Sequence, residues 1–185
     1  MKNTLLILTL VLFSLLSCQK DPQEKLCEDI ICLHGGDCVN GECDCPPQYT
    51  GPSCAQEVDP IKMKVANFTL TDFPPTAAGG AGWDTFDGAD VFLQILKAGV
   101  VLHETGYVEN LTGDFEFSVN FEFSDPTATY QISVYDYDFG LTSDDFMGGI
   151  SFTPYKPNAG FPSSYSPTCA SCVVAIQLEG IQYFH

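Results

Sequence analysis

Phe115-Glu116-Phe117-Ser118-Val119-Asn120-Phe121-Glu122-Phe123 alternates apolar and polar residues at all nine positions. Successive side chains of an extended chain point to opposite faces, so this stretch predicts a strand with one buried face and one wet face. The same period recurs on both sides of it. Ile61, Met63 and Val65 alternate until the phase slips to Phe68 and Leu70, which predicts a β-bulge near Asn67. Val91, Leu93 and Ile95 form a further strand, and Lys97-Ala98-Gly99 reads as a hairpin turn into Val100-Val101-Leu102. Tyr130, Ile132 and Val134 alternate, as do Val174, Ile176 and Leu178, and no amphipathic helix pattern interrupts them. The predicted fold class is all-β: an antiparallel β-sandwich of seven or eight strands over residues 61–185. The Pro- and Ser-rich stretch from Pro154 to Pro167 reads as a long loop.

Composition narrows the function classes. The 185 residues carry 24 Asp and Glu against 7 Lys and Arg, a formal net charge of -17, and all seven basic residues are lysines. A chain so poor in cations cannot neutralise a phosphate backbone, which excludes nucleic acid as a partner, and the same shortage argues against a polybasic grip on anionic lipid. The hydrophobic share of 45% with 14 phenylalanines calls for a packed core rather than an acidic disordered chain.

Lys2 followed by the apolar run Leu5 to Leu16 reads as a targeting segment, too short to span a bilayer comfortably. It ends in Leu15-Leu16-Ser17-Cys18, which resembles the bacterial lipobox. That resemblance implies a signal peptide over 1–17, cleavage before Cys18 and acylation of its sulfur; an ordinary secretory signal cut nearby is the alternative. Cys18 is also the odd cysteine, since six lie between Cys27 and Cys54 and two at Cys169 and Cys172. Several acyl chains bind a membrane firmly, because each buried methylene contributes about 0.8 kcal/mol. Residues 18–26 would then be a lipidated polar tether, and Lys20 followed by Asp21 is similar to the surface-export signals of Bacteroidetes lipoproteins. The expected location is the bacterial cell envelope, lipid-anchored at the outer membrane or cell surface.

The spacing Cys27-x4-Cys32-x5-Cys38-x4-Cys43-x-Cys45-x8-Cys54 packs six cysteines into under 30 residues. So short a module cannot bury enough apolar surface, so disulfides in an oxidising compartment must hold it, and spacing alone leaves 15 pairings open. The run from Cys38 through Asn40-Gly41, Cys43-Asp-Cys45 and Tyr49-Thr-Gly51 to Cys54 closely resembles the epidermal growth factor (EGF)-like module over 27–54. The resemblance implies the pairs Cys27–Cys38, Cys32–Cys43 and Cys45–Cys54. Zinc binding, the competing use of paired cysteines, fits poorly with that spacing. The module reads as a spacer or protein-contact platform, and residues 55–60 as a linker.

Two aspartate stretches stand at strand ends: Trp83-Asp84-Thr85-Phe86-Asp87-Gly88-Ala89-Asp90, and Tyr135-Asp136-Tyr137-Asp138 running on to Ser143-Asp144-Asp145-Phe146. Carboxylates gathered by such loops repel one another unless a cation neutralises them, and oxygen donors suit a hard cation, calcium above all. Solvated turn-forming aspartates are the plain alternative. The two stretches, with Val91-Phe92-Leu93 and Phe146-Met147-Gly148, resemble a C2 domain, a β-sandwich that binds calcium through five aspartates of two loops. The resemblance implies Asp84 and Asp90 from one loop and Asp136, Asp138 and Asp145 from the other, with Asp87 and Asp144 as alternates. It further implies apolar loop tips for membrane contact at Phe86, Phe139 and Leu141, and a permuted topology in which Val173–Phe184 fills the edge beside the first strand. The partner at such loops would be a protein, a glycan or a phospholipid.

Cys169-Ala170-Ser171-Cys172 lacks the setting of a redox motif and reads as a disulfide stapling a hairpin. Asn67-Phe-Thr69 and Asn110-Leu-Thr112 fit the glycosylation sequon, accidentally so in a bacterial lipoprotein. Catalysis would rest on carboxylates alone, as in a glycan hydrolase, and a small sandwich offers no deep cleft for it. The expected function is therefore that of a non-enzymatic, membrane-anchored binding or adhesion lipoprotein, with calcium as its cofactor. A structural surface spacer whose aspartates bind nothing is the main rival.

Overall fold

The structure, a computed structural model, describes residues 25–84, 88–140, 143–168 and 173–185. The chain divides into two units between Val58 and Asp59.

In the first unit, β1 (Asp37–Val39) and β2 (Glu42–Asp44) form a hairpin whose register pairs Cys38 with Cys43. Its turn residues Asn40 and Gly41 both take positive φ, 54° and 90°, the conformation that a two-residue hairpin needs. β3 (Tyr49–Thr50) and β4 (Gln56–Glu57) form a second pair. Residues 56 and 57, expected in a linker, are thus strand, because their backbone groups find partners at Tyr49 and Thr50. Cys54 is the one buried residue of this unit among those described. Disulfides do the work of a core here, in the pairing Cys27–Cys38, Cys32–Cys43 and Cys45–Cys54 that the EGF-like resemblance implies. Gly36 leaves room for them, since a Cβ there would lie 2.7 Å from the Cys54 sulfur.

The second unit is an antiparallel sandwich. Its strands are β5 (Lys62–Asp72), β6 (Val91–Lys97), β7 (Val100–Glu104), β8 (Phe115–Phe123), β9 (Tyr130–Asp136), β10 (Asp145–Phe152), β11 (Ser164–Tyr165), β12 (Ala175–Glu179) and β13 (Gln182–Phe184). One sheet runs β10-β9-β6-β7; in the other, β5 is flanked on one side by β8 and on the other by β12 and β13, with β11 outside β12. β12 and β13 lie one after the other along β5, from Asp72 down to Lys62, so the described strands fill eight positions, four per layer. The terminal segment thus takes its place beside the first strand, but β11 rather than β12 forms the edge there.

The opening stretch is β8, residue for residue. Phe117, Val119 and Phe123 are buried while Glu116, Ser118, Asn120 and Glu122 are exposed. They meet Met63, Val65, Phe68 and Leu70 of β5 and Val91, Leu93, Ile95, Ile132 and Val134 of the opposite sheet in one core. The register does break between Val65 and Asn67, but the extra residue lies on the partner strand: Val119 and Asn120 oppose Ala66, and Asn120 takes φ 44°. Ala98 and Gly99 form the two-residue turn joining Lys97 to Val100, both with positive φ.

Antiparallel registers bring one set of strand ends together. β6 and β10 begin where β9 ends, with both Val91 and Asp145 paired to Asp136. β5 ends at Asp72 opposite Ala175, near the start of β8 at Phe115. The loops bearing the aspartates belong to this end.

Candidate metal centre

Asp136 continues the inward alternation of Ile132 and Val134 at the last position of β9, and it is fully buried, 0% exposed. A buried carboxylate must be paired or must give up its charge. Its Oδ1 accepts the backbone N–H of Asp90 at 2.6 Å, while its Oδ2 has no hydrogen-bond partner among the described residues. Burial pushes the carboxyl up to about 6; the Asp90 N–H works against this, and the charges of Asp84, Asp138 and Asp90 add to it. Three of the sequence-predicted ligands therefore share their field with a fourth.

The two aspartate loops are laced together by backbone. Tyr137 N–H donates to the Asp90 carbonyl at 2.7 Å, next to the Asp90–Asp136 bond. Asp90 Oδ1 accepts the Asn110 N–H at 2.9 Å, and the Asn110 side-chain oxygen accepts the Gly88 N–H at 2.9 Å. Val91 and Val108 exchange both backbone bonds at 2.9 Å, which holds the intervening loop against the first. Asp84, Asp90 and Asp138 are each partly exposed, whereas Asp136, on which their charges act, is buried.

Asp144 and Asp145 are placed differently. Asp144 Oδ1 accepts the Asp138 N–H at 3.1 Å and so closes its own loop. Asp145 opens β10 directly opposite Asp136, and cross-strand partners share a face of the sheet. Phe146 then pairs with Tyr135, and a bulge at Met147 restores the phase before Gly148. Asp87, Phe86, Leu141, Cys169, Cys172 and Cys18, with the signal peptide, lie outside the described residues. Of the predicted loop tips Phe139 is described, and it is 87% exposed.

All-oxygen donors and one orphaned buried oxygen fit a hard divalent cation. Among the described residues, however, no three His, Cys, Asp or Glu side chains converge closely enough to enclose an ion. The residues that would hold it are Asp84, Asp90, Asp136 and Asp138.

Residues 27–54 match the family model for the EGF-like domain. Comparison with curated protein sequences returns no match. Among solved structures, a C2 domain is similar at 12% identity and TM-score 0.46, covering 67% of this chain and 98% of its own. A C2 domain of plant extended synaptotagmin 1 aligns at 18% identity and TM-score 0.47, covering 69% of this chain and 97% of its own. At such scores neither likeness adds to the strand order already described.

Sequence reasoning passed over Asn110, which reads there as an accidental sequon, because its bonds join loops that only the fold brings together. It also passed over the tyrosines between the aspartates. Tyr135 stacks on Phe92 at 5.4 Å and meets Phe146 edge-on, and Tyr137 stacks on Tyr107 at 4.4 Å. The period-2 rule that turns Asp136 inward turns these rings outward, so the signal was present in the alternation.

Proposed function

We propose that this chain is a lipid-anchored, extracytoplasmic binding or adhesion protein of the bacterial cell envelope, whose C2-like sandwich binds calcium. Asp84, Asp90, Asp136 and Asp138 supply the oxygens, with Asp145 from the β10 start favoured over Asp144, whose carboxylate already serves its own loop. The observation that carries the reading is the buried Asp136, whose Oδ2 has no hydrogen-bond partner among the described residues while neighbouring carboxylates add their charge. Bound calcium would supply the positive charge that this carboxylate lacks, and the chain's own hydrogen bonds hold Asp90 and Asp136 in place to receive it. Outside the cell calcium is plentiful, so weak binding suffices and the ion is structural rather than a switch. The calcium loops, with Phe139 at their tip, face a protein, a glycan or a phospholipid.

The rival reading, a structural spacer whose aspartates bind nothing, draws on the lack of any convergent trio of donors among the described residues. A calcium titration of the ectodomain separates the two. Millimolar calcium should raise the melting temperature, and Asp136→Asn with Asp138→Asn should abolish the rise. An unmutated protein that melts identically in calcium and in chelator would sink the calcium reading.

A further inference from the structure

A cleft of about 350 Å³ opens at the same end of the sandwich, lined by the end of β5, the first aspartate loop and the residues leading into β8. That volume lies within the range of small-ligand sites. Trp83, Phe73 and Leu111 give it apolar walls that pack against the core, and Asp72 and Asp114 bring two exposed carboxylates to it. The indole N–H of Trp83 donates to the Pro74 carbonyl at 2.7 Å, which fixes the ring. Among the described residues neither Asp72 nor Asp114 has a side-chain hydrogen-bond or ion-pair partner, and no cation lines the cleft.

Aromatic walls beside unpaired carboxylates are complementary to one chemistry in particular. A guanidinium stacks on an aromatic face through its flat, weakly hydrated surface and offers paired N–H donors to carboxylates. The field of a chain with net charge -17 draws such a group in and repels an anionic one. The chain contains no arginine, so a second copy cannot supply it. We propose that the Trp83–Asp72–Asp114 cleft takes an arginine side chain of a basic partner polypeptide. This goes beyond calcium binding and uses none of the carboxylates assigned to the ion.

Trp83 is the only tryptophan in the chain, so its fluorescence reports occupancy directly. The probe is a blocked, glycine-flanked peptide with one arginine, titrated into the ectodomain in calcium and again in chelator. A saturable change in Trp83 emission is expected in both buffers. Replacing arginine by its uncharged isostere citrulline should weaken binding at least about tenfold, since charge-assisted bonds are lost. Asp72→Asn with Asp114→Asn should do the same, whereas Asp29→Asn with Asp37→Asn, which removes equal charge from the EGF-like unit, should leave binding unchanged. Equal binding of the citrulline peptide, equal weakening by both charge-matched pairs, or saturation by neutral maltose but not by the peptide would each overturn the proposal. Because the chelator arm needs no ion, a failed calcium reading and a failed arginine reading are told apart.

Discussion

The Asp136 carboxylate accepts the backbone N–H of Asp90 at 2.6 Å, so the end of β9 is fastened to the start of β6 through a buried acidic side chain. That one bond satisfies one oxygen and leaves its twin without a partner among the described residues. The stability of this end of the sandwich therefore depends on what neutralises Asp136.

In chelator, protons are what neutralise it. The folded protein holds the Asp136 proton up to about pH 6, against 3.8 for the free side chain. Between those values the folded state binds more protons than the unfolded one, so stability falls as pH rises through the window, by about 3 kcal/mol in all. Asp136→Asn keeps an oxygen for the Asp90 N–H and carries no charge. At neutral pH in chelator this variant should be more stable than the parent, and the gap in urea midpoints should close as the pH falls toward about 4. A gap independent of pH would mean that the charge of Asp136 is not what costs stability.

If Asp136 is a calcium ligand as proposed, calcium and protons compete for its carboxylate. The calcium-induced rise in melting temperature should therefore shrink as pH drops through about 6, the value to which Asp136 is raised. Thermal scans at fixed calcium across that range check it.

Asn110 holds the Gly88 N–H with its side chain and Asp90 with its backbone, from a left-handed φ of 54°. Asn110→Ala loses an acceptor and pays for the backbone conformation that asparagine tolerates, so a loss of about 1–2 kcal/mol is expected. Its calcium affinity should fall with it, since Asp90 is no longer braced. Calorimetry of the variant reads both.

Gly148 sits just past the Met147 bulge with φ 153°, and a Cβ there would lie 2.7 Å from Val173 Cγ2 and 2.9 Å from Val174 Cγ1. Gly148→Ala should cost about 1–3 kcal/mol through overpacking and strain. An unchanged denaturation midpoint would show that the segment at Val173 yields freely.

Cys45→Ser with Cys54→Ser removes the bond to the one buried residue of the first unit among those described. A native disulfide in so small a unit is worth about 2–5 kcal/mol, enough to unfold it. The melting of the sandwich should stay where it was, and NMR amide dispersion of the two units would show the difference.

The nine alternating residues of β8, the hairpin at Ala98-Gly99 and the cysteine ladder were legible because each is a local code. Side-chain period, turn conformation and cysteine spacing act over a few residues, and the chain states them directly. The bulge was half legible: the phase slip in β5 marked its place, but which strand carries the extra residue depends on the pairing with β8. The brace at Asn110, the split roles of Asp144 and Asp145 and the cleft under Trp83 were not legible at all. The brace at Asn110 and the cleft join residues from loops remote in the sequence, and their meeting is set by strand register in three dimensions, whereas Asp144 and Asp145 part within a single loop, where the bond to the Asp138 N–H takes one of two neighbouring carboxylates. By itself the sequence determined two units, an all-β sandwich and a supply of carboxylates at strand ends. Only the tertiary structure decided which carboxylate is buried, because burial depends on the sheet that closes over it.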